Sequence, residues 1–576
     1  MKTLTIEEQT QEIRSELEKK RQEPHSLIFE RVKNGDVTEA ANQVLFRVDP
    51  AQRAQVVESL EQDLPKLFAQ ASKDQKRTIL SFAVKLSLDF GSFLPAWRTG
   101  VLEAPMELAR RLQALTTMLA EQDTAVAEDV HGELREDLLT RLGAEKVSDP
   151  EEAASIADRT MKSSLAEYIE SMWEEYAVSN MRRAAEAHFK GETATTLGND
   201  HAAFLDHALR VGASSQTTNP VLIKLAWDAD KTFWDDRVDK IILDEYDRAT
   251  IAETLGSSES EQDSMVRHIN TLVTTAVVEQ NCRMLRDIFL ITDGLDGYVN
   301  VQVSPDNYGD ADAMVTQAVA VYESLWNRLG GIPNAVIKLP ATPAGKIAAG
   351  RLTKRSIGVT MTLTFSMFQA VELGEVLSQG SALASNIAVM NGRLAYPVRD
   401  ELSEKGVEGG VEAAQWAGVA VARRVYRRLY DPVGKGGMGL DHKHIRLLIA
   451  SLRIYGDWLP DISEVWGVPC ITVFPNVRRA FDSHPREMKG DSVTEETPPE
   501  AIQTMFASEL FCQAWWTPED GEEGKPATPL SLAPKDAEAV ASWTPVRQTL
   551  DQFIDVYLTM NQMILGRLEH LAEKKT

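Results

Sequence analysis

The stretch NAVIKLPATPAGKIAA spans residues 334–349, and its two halves have different textures. Residues 335–340, AVIKLP, are a short apolar run broken only by Lys338 and closed by Pro340, as expected of a buried strand. The residues after it suit a helix. The same strand-then-helix texture recurs on both sides. Toward the amino end lie YVNVQV (298–303), GASSQT (212–217) and ATTLGN (194–199). Toward the carboxyl end lie GVTMTLTF (358–365), ASNIAVM (384–390), IRLLIAS (445–451) and PCITVF (469–474). The Ser/Thr-rich second run is the least strand-like of the eight. Most of them lack apolar/polar alternation, which indicates parallel strands covered by helices. Eight such units predict an α/β fold of the closed (β/α)8 TIM-barrel type.

Before residue 190 the pattern is helix after helix, with apolar residues at three- and four-residue steps: Leu60, Leu64, Leu67 and Phe68, then Leu108, Leu112, Leu115 and Met118. Asp49-Pro50 and Asp149-Pro150 read as helix starts. The expected organisation is an all-helical N-terminal domain over 1–190 and a barrel over 191–576. No motif in the helical part carries chemistry, so it reads as a packing or assembly module, with partner binding as the alternative. The barrel part holds extra material: a helical excursion at 224–290, a Gly-rich stretch at 431–440, and a polar, Pro-rich segment at 484–545. That last segment, with EEGKPATP, reads as an exposed loop. A final helix is predicted over 546–572, apolar through Leu550, Phe553, Tyr557 and Leu565.

Composition narrows the function classes. The 576 residues include 61 Lys+Arg against 86 Asp+Glu, a net charge of -25 that repels phosphate backbones, so nucleic acid is not an expected partner. An apolar share of 43% is enough to fill a core. Cys282, Cys470 and Cys512 are too few and too scattered for a disulfide framework or a Cys-rich metal site, and their apolar settings make them inert. The opening MKTLTIEEQTQEIRSELEKK lacks the apolar centre of a signal peptide, and no apolar run reaches the length of a membrane span. A soluble, cytoplasmic protein without membrane partners is expected.

In a barrel of this kind reactive groups gather at the carboxyl ends of the strands. Those ends carry Asp200, Asn219, Gln302, Lys338, Thr362, Arg393, Ser451 and Arg453. Alternation puts Lys338 on one face with Val336, opposite Ile337 and Leu339. An ammonium turned into a barrel is costly unless paired, and desolvation drives it toward the neutral amine that attacks carbonyls. The alternative is that Lys338 reaches solvent or pairs with an acid.

Six segments in register resemble the transaldolase family of Schiff-base enzymes: QTTNPVLI (216–223), VNVQVSPDNYGDADAMVTQA (299–318), NAVIKLPATPAGKIAA (334–349), IGVTMTLTFSMFQA (357–370), MNGR (390–393) and ASLR (450–453). The resemblance spans about residues 196–475. It implies a Schiff-base lysine at Lys338, an acid/base aspartate at Asp200, donor-hydroxyl recognition by Asn219, and a proton-shuttling water held by Thr362. Arg393, Ser451 and Arg453 match the positions that grip substrate phosphate, which suits guanidinium chemistry. The competing roles are a helix N-cap for Asp200, a turn before Pro220 for Asn219, strand packing for Thr362 and surface ion pairs for the arginines.

The chain also departs from the family pattern. Gln302 stands where transaldolases usually carry Glu, as in the fructose-6-phosphate aldolase branch, and glutamine orients water but takes no proton at neutral pH. Met390 stands near that branch's Tyr, Ala388 where a serine is usual, and Thr360 where the fifth strand usually has Asn. The implied activity is transfer of a dihydroxyacetone unit between sugar phosphates, in carbohydrate metabolism of the pentose phosphate kind, with no metal and no cofactor. Two alternatives stand beside it: a lyase, and a silent barrel used for binding or assembly. Sugar phosphates are the expected partners, and a homo-oligomer is compatible. His442 and His444 lack a third metal ligand and sit at the amino end of a strand. Arg423, Arg424, Arg427 and Arg428 read as a solvated helix face, with an anion or subunit contact as the alternative. GKGGMG (434–439) lacks the Lys-Ser/Thr of a nucleotide cradle.

Overall fold

Eight parallel strands close into a barrel in sequence order, and each lies within one of the eight expected runs. They are β1 (Thr196–Asn199), β2 (Ser215–Gln216), β3 (Val299–Gln302), β4 (Ala335–Pro340), β5 (Val359–Thr364), β6 (Ser385–Met390), β7 (Ile445–Ala450) and β8 (Cys470–Val473). The computed structural model describes residues 3–92, 105–488, 490–517 and 526–573. β2 has only two residues, and its carbonyl at Gln216 accepts from the Asn300 side chain at 2.9 Å, so side-chain bonding supplements a short ladder there. Gln302, Lys338, Thr360 and Asn386 stand in line across β3 to β6. Cross-strand partners share a face, so this line makes a polar layer on the barrel's inner side. The β5–β6 register shifts between Met361 and Thr364, where Leu363 has φ 60°. Such a bulge re-aims neighbouring side chains, here at Thr362.

The excursion after β2 is four helices, Pro220–Ala229, Lys231–Glu245, Arg248–Leu255 and Glu259–Ile291. The last carries the chain back to β3. Ahead of the barrel the described residues form ten α-helices, from Ile6–Arg21 to Asn180–Phe189, and two of the breaks between them follow the Asp-Pro pairs. Asp49 and Asp149 each cap the turn begun by the following proline. Leu60, Leu64, Phe68, Leu112 and Leu115 are buried, whereas Met118 is 46% exposed and Leu119 takes the inner position. The first helix, Ile6–Arg21, closes the amino end of the barrel: Ile13 and Leu17 pack with Phe289, Tyr298, Val336 and Leu383. Other N-terminal helices share one apolar core with the barrel helices. Arg47 makes two bonds to Asp287, at 2.8 and 2.9 Å, across that junction.

The segment 484–545 corrects the loop expectation. It contains the helices Pro499–Met505, Glu509–Trp515 and Ala537–Ser542, with Met505, Phe511 and Leu532 buried. Residues 522–525 of EEGKPATP lie outside the described residues. This segment folds over the helix Ala417–Tyr430, so Arg423 and Arg424 there are not a solvated face, while Arg427 and Arg428 stay partly exposed. Arg423 is 2% exposed and donates to the Glu464 and Glu496 carbonyls, while Arg424 stacks on Trp515. The final helix, Thr544–Glu573, crosses the carboxyl mouth of the barrel. It is held by Tyr557 Oη to Ser304 Oγ (2.9 Å), by Asn270 Nδ2 donating to Asn561 Oδ1 (2.7 Å), and by Arg567 on Asp239. Among the described residues no helix is long and apolar enough to cross a membrane.

Candidate active site

At the carboxyl end of the barrel a cavity of about 100 Å³ is lined by Asp200, Asn219, Lys338, Thr362, Arg393, Ser451 and Arg453. That volume holds several waters or part of a small polar ligand. Six different strand ends and the loops after them contribute these seven residues, which only barrel closure brings together. The cavity has two kinds of wall. Asp200, Thr217, Asn219 and Thr472 are polar, whereas Ala388, Met390, Leu448 and Ala450 are apolar, and Phe553 of the final helix adds an aromatic face.

Lys338 is half-buried, and its Nζ donates to the Thr218 carbonyl at 3.1 Å. Burial pushes its amine below the ordinary value, Asp200 pulls the other way, and Arg393 adds to the push. Lys338 lines the cavity. Asp200 is 5% exposed. Burial raises its carboxyl, opposed by Lys338, by a hydrogen bond from Thr217 and by Arg393. Thr217 Oγ1 donates to Asp200 Oδ1 at 2.5 Å and accepts from Thr472 Oγ1 at 2.7 Å. The following helix starts only at Leu205, so Asp200 is not its cap. Burial therefore drives both groups toward their neutral forms.

Asn219 does cap the helix Pro220–Ala229, its Oδ1 accepting from Leu222 N at 3.0 Å, which leaves its NH2 as a donor. Thr362 Oγ1 donates to Met390 Sδ at 3.6 Å, and Thr360 Oγ1 accepts from Asn386 Nδ2 at 2.8 Å. Gln302 is the exception among the eight. It is the cross-strand partner of Lys338, but it lines a small adjoining pocket with Ser304 and Tyr557, and its Oε1 accepts from Thr218 Oγ1 at 3.0 Å.

Arg393 follows β6, and Ser451 and Arg453 follow β7. Burial and the neighbouring Arg453 push the Arg393 guanidinium down to about 10, so it stays charged at neutral pH. Arg453 Nη1 donates to Ser451 Oγ at 3.2 Å, and Ser451 has φ 63°. A left-handed serine is strained, and such strain gathers at binding sites. Gly392 lets Arg453 lie close: a Cβ there would stand 2.3 Å from Arg453 Cγ. Two guanidiniums and a hydroxyl thus line the same cavity, and such donors are of the kind that can hold an anion.

Thr217, Thr472 and Phe553 escaped the sequence reading. Thr217 lies inside the TTNP motif, so its position was visible although its bond to Asp200 was not. Phe553 has no local signal, because it arrives from the end of the chain. His444 lies at the amino end of β7, with Nδ1 2.6 Å from the Leu383 carbonyl. Among the described residues no group of three or more His, Cys, Asp or Glu could hold a metal.

A family model described as Transaldolase/Fructose-6-phosphate aldolase matches residues 158–514. The transaldolase of Mycolicibacterium paratuberculosis is 34% identical over 179 residues, 29% of this chain and 46% of its own length. Those of Acidothermus cellulolyticus (32% over 165 residues; 27% and 43%) and Thiobacillus denitrificans (30% over 187; 31% and 50%) are similar in the same way. The chain thus spans about half the length of these relatives.

Proposed function

Because the chain belongs to the transaldolase/fructose-6-phosphate aldolase family, we propose that it moves a dihydroxyacetone unit between sugar phosphates through a Schiff base on Lys338. The observation that carries this reading is the placing of the desolvated Lys338 amine in one cavity with Asp200 and two guanidiniums. The neutral amine attacks the ketone carbon, and the carbinolamine loses water to give an iminium. Asp200 takes the C4 hydroxyl proton as the C3–C4 bond breaks. The bonding electrons pass to the iminium, leaving an enamine on Lys338 and a free aldehyde. An acceptor aldehyde, its phosphate on Arg393, Ser451 and Arg453, then bonds to the enamine carbon, and its oxygen recovers the proton. Water re-adds to the iminium and releases the product. The cationic nitrogen is the electron sink, and Asn219 donates to the donor hydroxyls. Such a reaction belongs with those of the pentose phosphate kind.

A second reading is a lyase that releases the three-carbon unit to water. Gln302 favours it, because an amide carries no proton that titrates at neutral pH. The test is incubation with fructose 6-phosphate, borohydride reduction and peptide mass mapping. An adduct on Lys338 with dependence on an added aldose supports transfer, and one with free dihydroxyacetone accumulating supports the lyase. No adduct at Lys338 refutes both and leaves a silent barrel.

A further inference from the structure

In this acidic chain arginines commonly meet carboxylates: Arg47 pairs with Asp287, Arg210 with Asp89, Arg267 with Asp263, and Arg567 with Asp239. Arg393 and Arg453 are held differently, and among the described residues neither forms an ion pair. Arg393 Nη2 donates to Gln552 Oε1 at 2.6 Å, and its guanidinium lies over the Phe553 ring, 5.6 Å from the centroid. Arg453 bonds its own strand-end carbonyls and lies over Tyr396, 4.6 Å from the centroid. Both cations are fixed by neutral acceptors and aromatic faces.

Gln552 stands in the sequence DQFID, between Asp551 and Asp555. Asp551 is engaged by Arg547 at 2.7 Å. The residue of that acidic stretch that bonds Arg393 is the uncharged one. A carboxylate at 552 would take the guanidinium in a charge-assisted pair and compete with any incoming anion. An amide oxygen orients the same fork and leaves its charge available. The Phe553 ring limits the guanidinium's motion by cation–π attraction without neutralising it.

We propose that Gln552 and Phe553 of the final helix are positioning residues for the anion site, aiming Arg393 into the cavity with no carboxylate bonded to its guanidinium. The end of the chain would thereby set affinity for the phosphomonoester part of a substrate. The substrate class rests on the transaldolase-like reading above, whereas anion binding can be measured without it.

The experiment compares the full-length protein with Gln552→Glu, a near-isosteric change at an exposed position, and with Gln552→Met, which removes the acceptor but adds no charge. Calorimetric titration with inorganic phosphate at low salt should show affinity lowered about tenfold or more by Gln552→Glu, and about threefold by Gln552→Met. KM for a phosphorylated aldose should rise by the same factors with kcat within about twofold, the signature of lost ground-state binding. Unaltered phosphate affinity in Gln552→Glu would overturn the proposal. So would an equal loss of borohydride-trapped adduct with unphosphorylated dihydroxyacetone, because that would mean general damage to the site. The two readings fail separately. If the parent protein forms no Lys338 adduct yet its phosphate affinity depends on residue 552, the chemistry falls and the positioning role stands. If the adduct forms but phosphate affinity ignores residue 552, only the positioning role falls.

Discussion

Thr217→Val removes one hydroxyl from the cavity wall and keeps the branched shape of the side chain. That hydroxyl donates to Asp200 Oδ1 at 2.5 Å and accepts from Thr472 Oγ1 at 2.7 Å. A hydrogen bond to a charged group contributes about 1.5–3 kcal/mol and a neutral one about 1 kcal/mol, so the bond to Asp200 dominates. It favours the ionised carboxylate, whose value burial already raises. Losing it raises that value further. With about 1.4 kcal/mol per decade, kcat/KM for fructose 6-phosphate on the acid limb of the pH profile should fall roughly ten- to a hundredfold. The plateau at higher pH should remain. The stability sign follows from the same shift. A carboxyl raised in the fold binds its proton more tightly there than in the unfolded chain. Its favourable contribution is complete below the unfolded value and is lost as pH rises through the folded one. Thr217 limits that loss. Urea denaturation should therefore show the variant less stable above the Asp200 transition, with the gap narrowing below it. An acid limb at its original pH, with stability lowered equally at both pH values, would refute this role for Thr217.

Lys338→Met should abolish the borohydride-trapped adduct. It should also remove a rise in stability as pH climbs toward 10.5, where the unfolded lysine still holds a proton that the folded one has released; denaturation at two alkaline pH values checks this. Gly392→Ala puts a Cβ 2.3 Å from Arg453 Cγ and 2.5 Å from the Ser451 carbonyl. It should cost about 1–3 kcal/mol by denaturant titration and raise KM for phosphorylated substrates. Arg47→Met leaves Asp287 buried without its partner and should cost about 3–5 kcal/mol, read from the shift in urea midpoint. Gln302→Glu keeps an acceptor for Thr218 and adds a titrating proton; transferase turnover should rise, and an unchanged ratio of transfer to release would count against a limiting glutamine.

The barrel was readable because each strand announces itself locally, by a short apolar run followed by a helical stretch. β4 carries that signal most strongly and β2 least, where two residues of ladder are helped by an asparagine side chain. The segment 484–545 was misread for the opposite reason. Its prolines and charges suggest a loop, but Met505, Phe511 and Leu532 find a surface to bury against only once the helix Ala417–Tyr430 is in place. Arg423, Arg424 and Arg427 of that helix turned from an apparent solvated face into a clasp by the same long-range contact, whereas Arg428 donates to the nearby Gly436 carbonyl.

Lys338, Asp200, Asn219, Thr362, Arg393, Ser451 and Arg453 could be named from strand ends and motifs, because residue type and position along a strand are properties of the chain itself. Their meeting in one cavity, the displacement of Gln302 into a neighbouring pocket, and the arrival of Gln552 and Phe553 beside Arg393 belong to the folded molecule. Hydrogen bonds such as Thr217 to Asp200 and cations left without carboxylates depend on distances between residues far apart in the chain. Burial, which sets the protonation of Lys338 and Asp200, exists only after the helices have closed around the sheet.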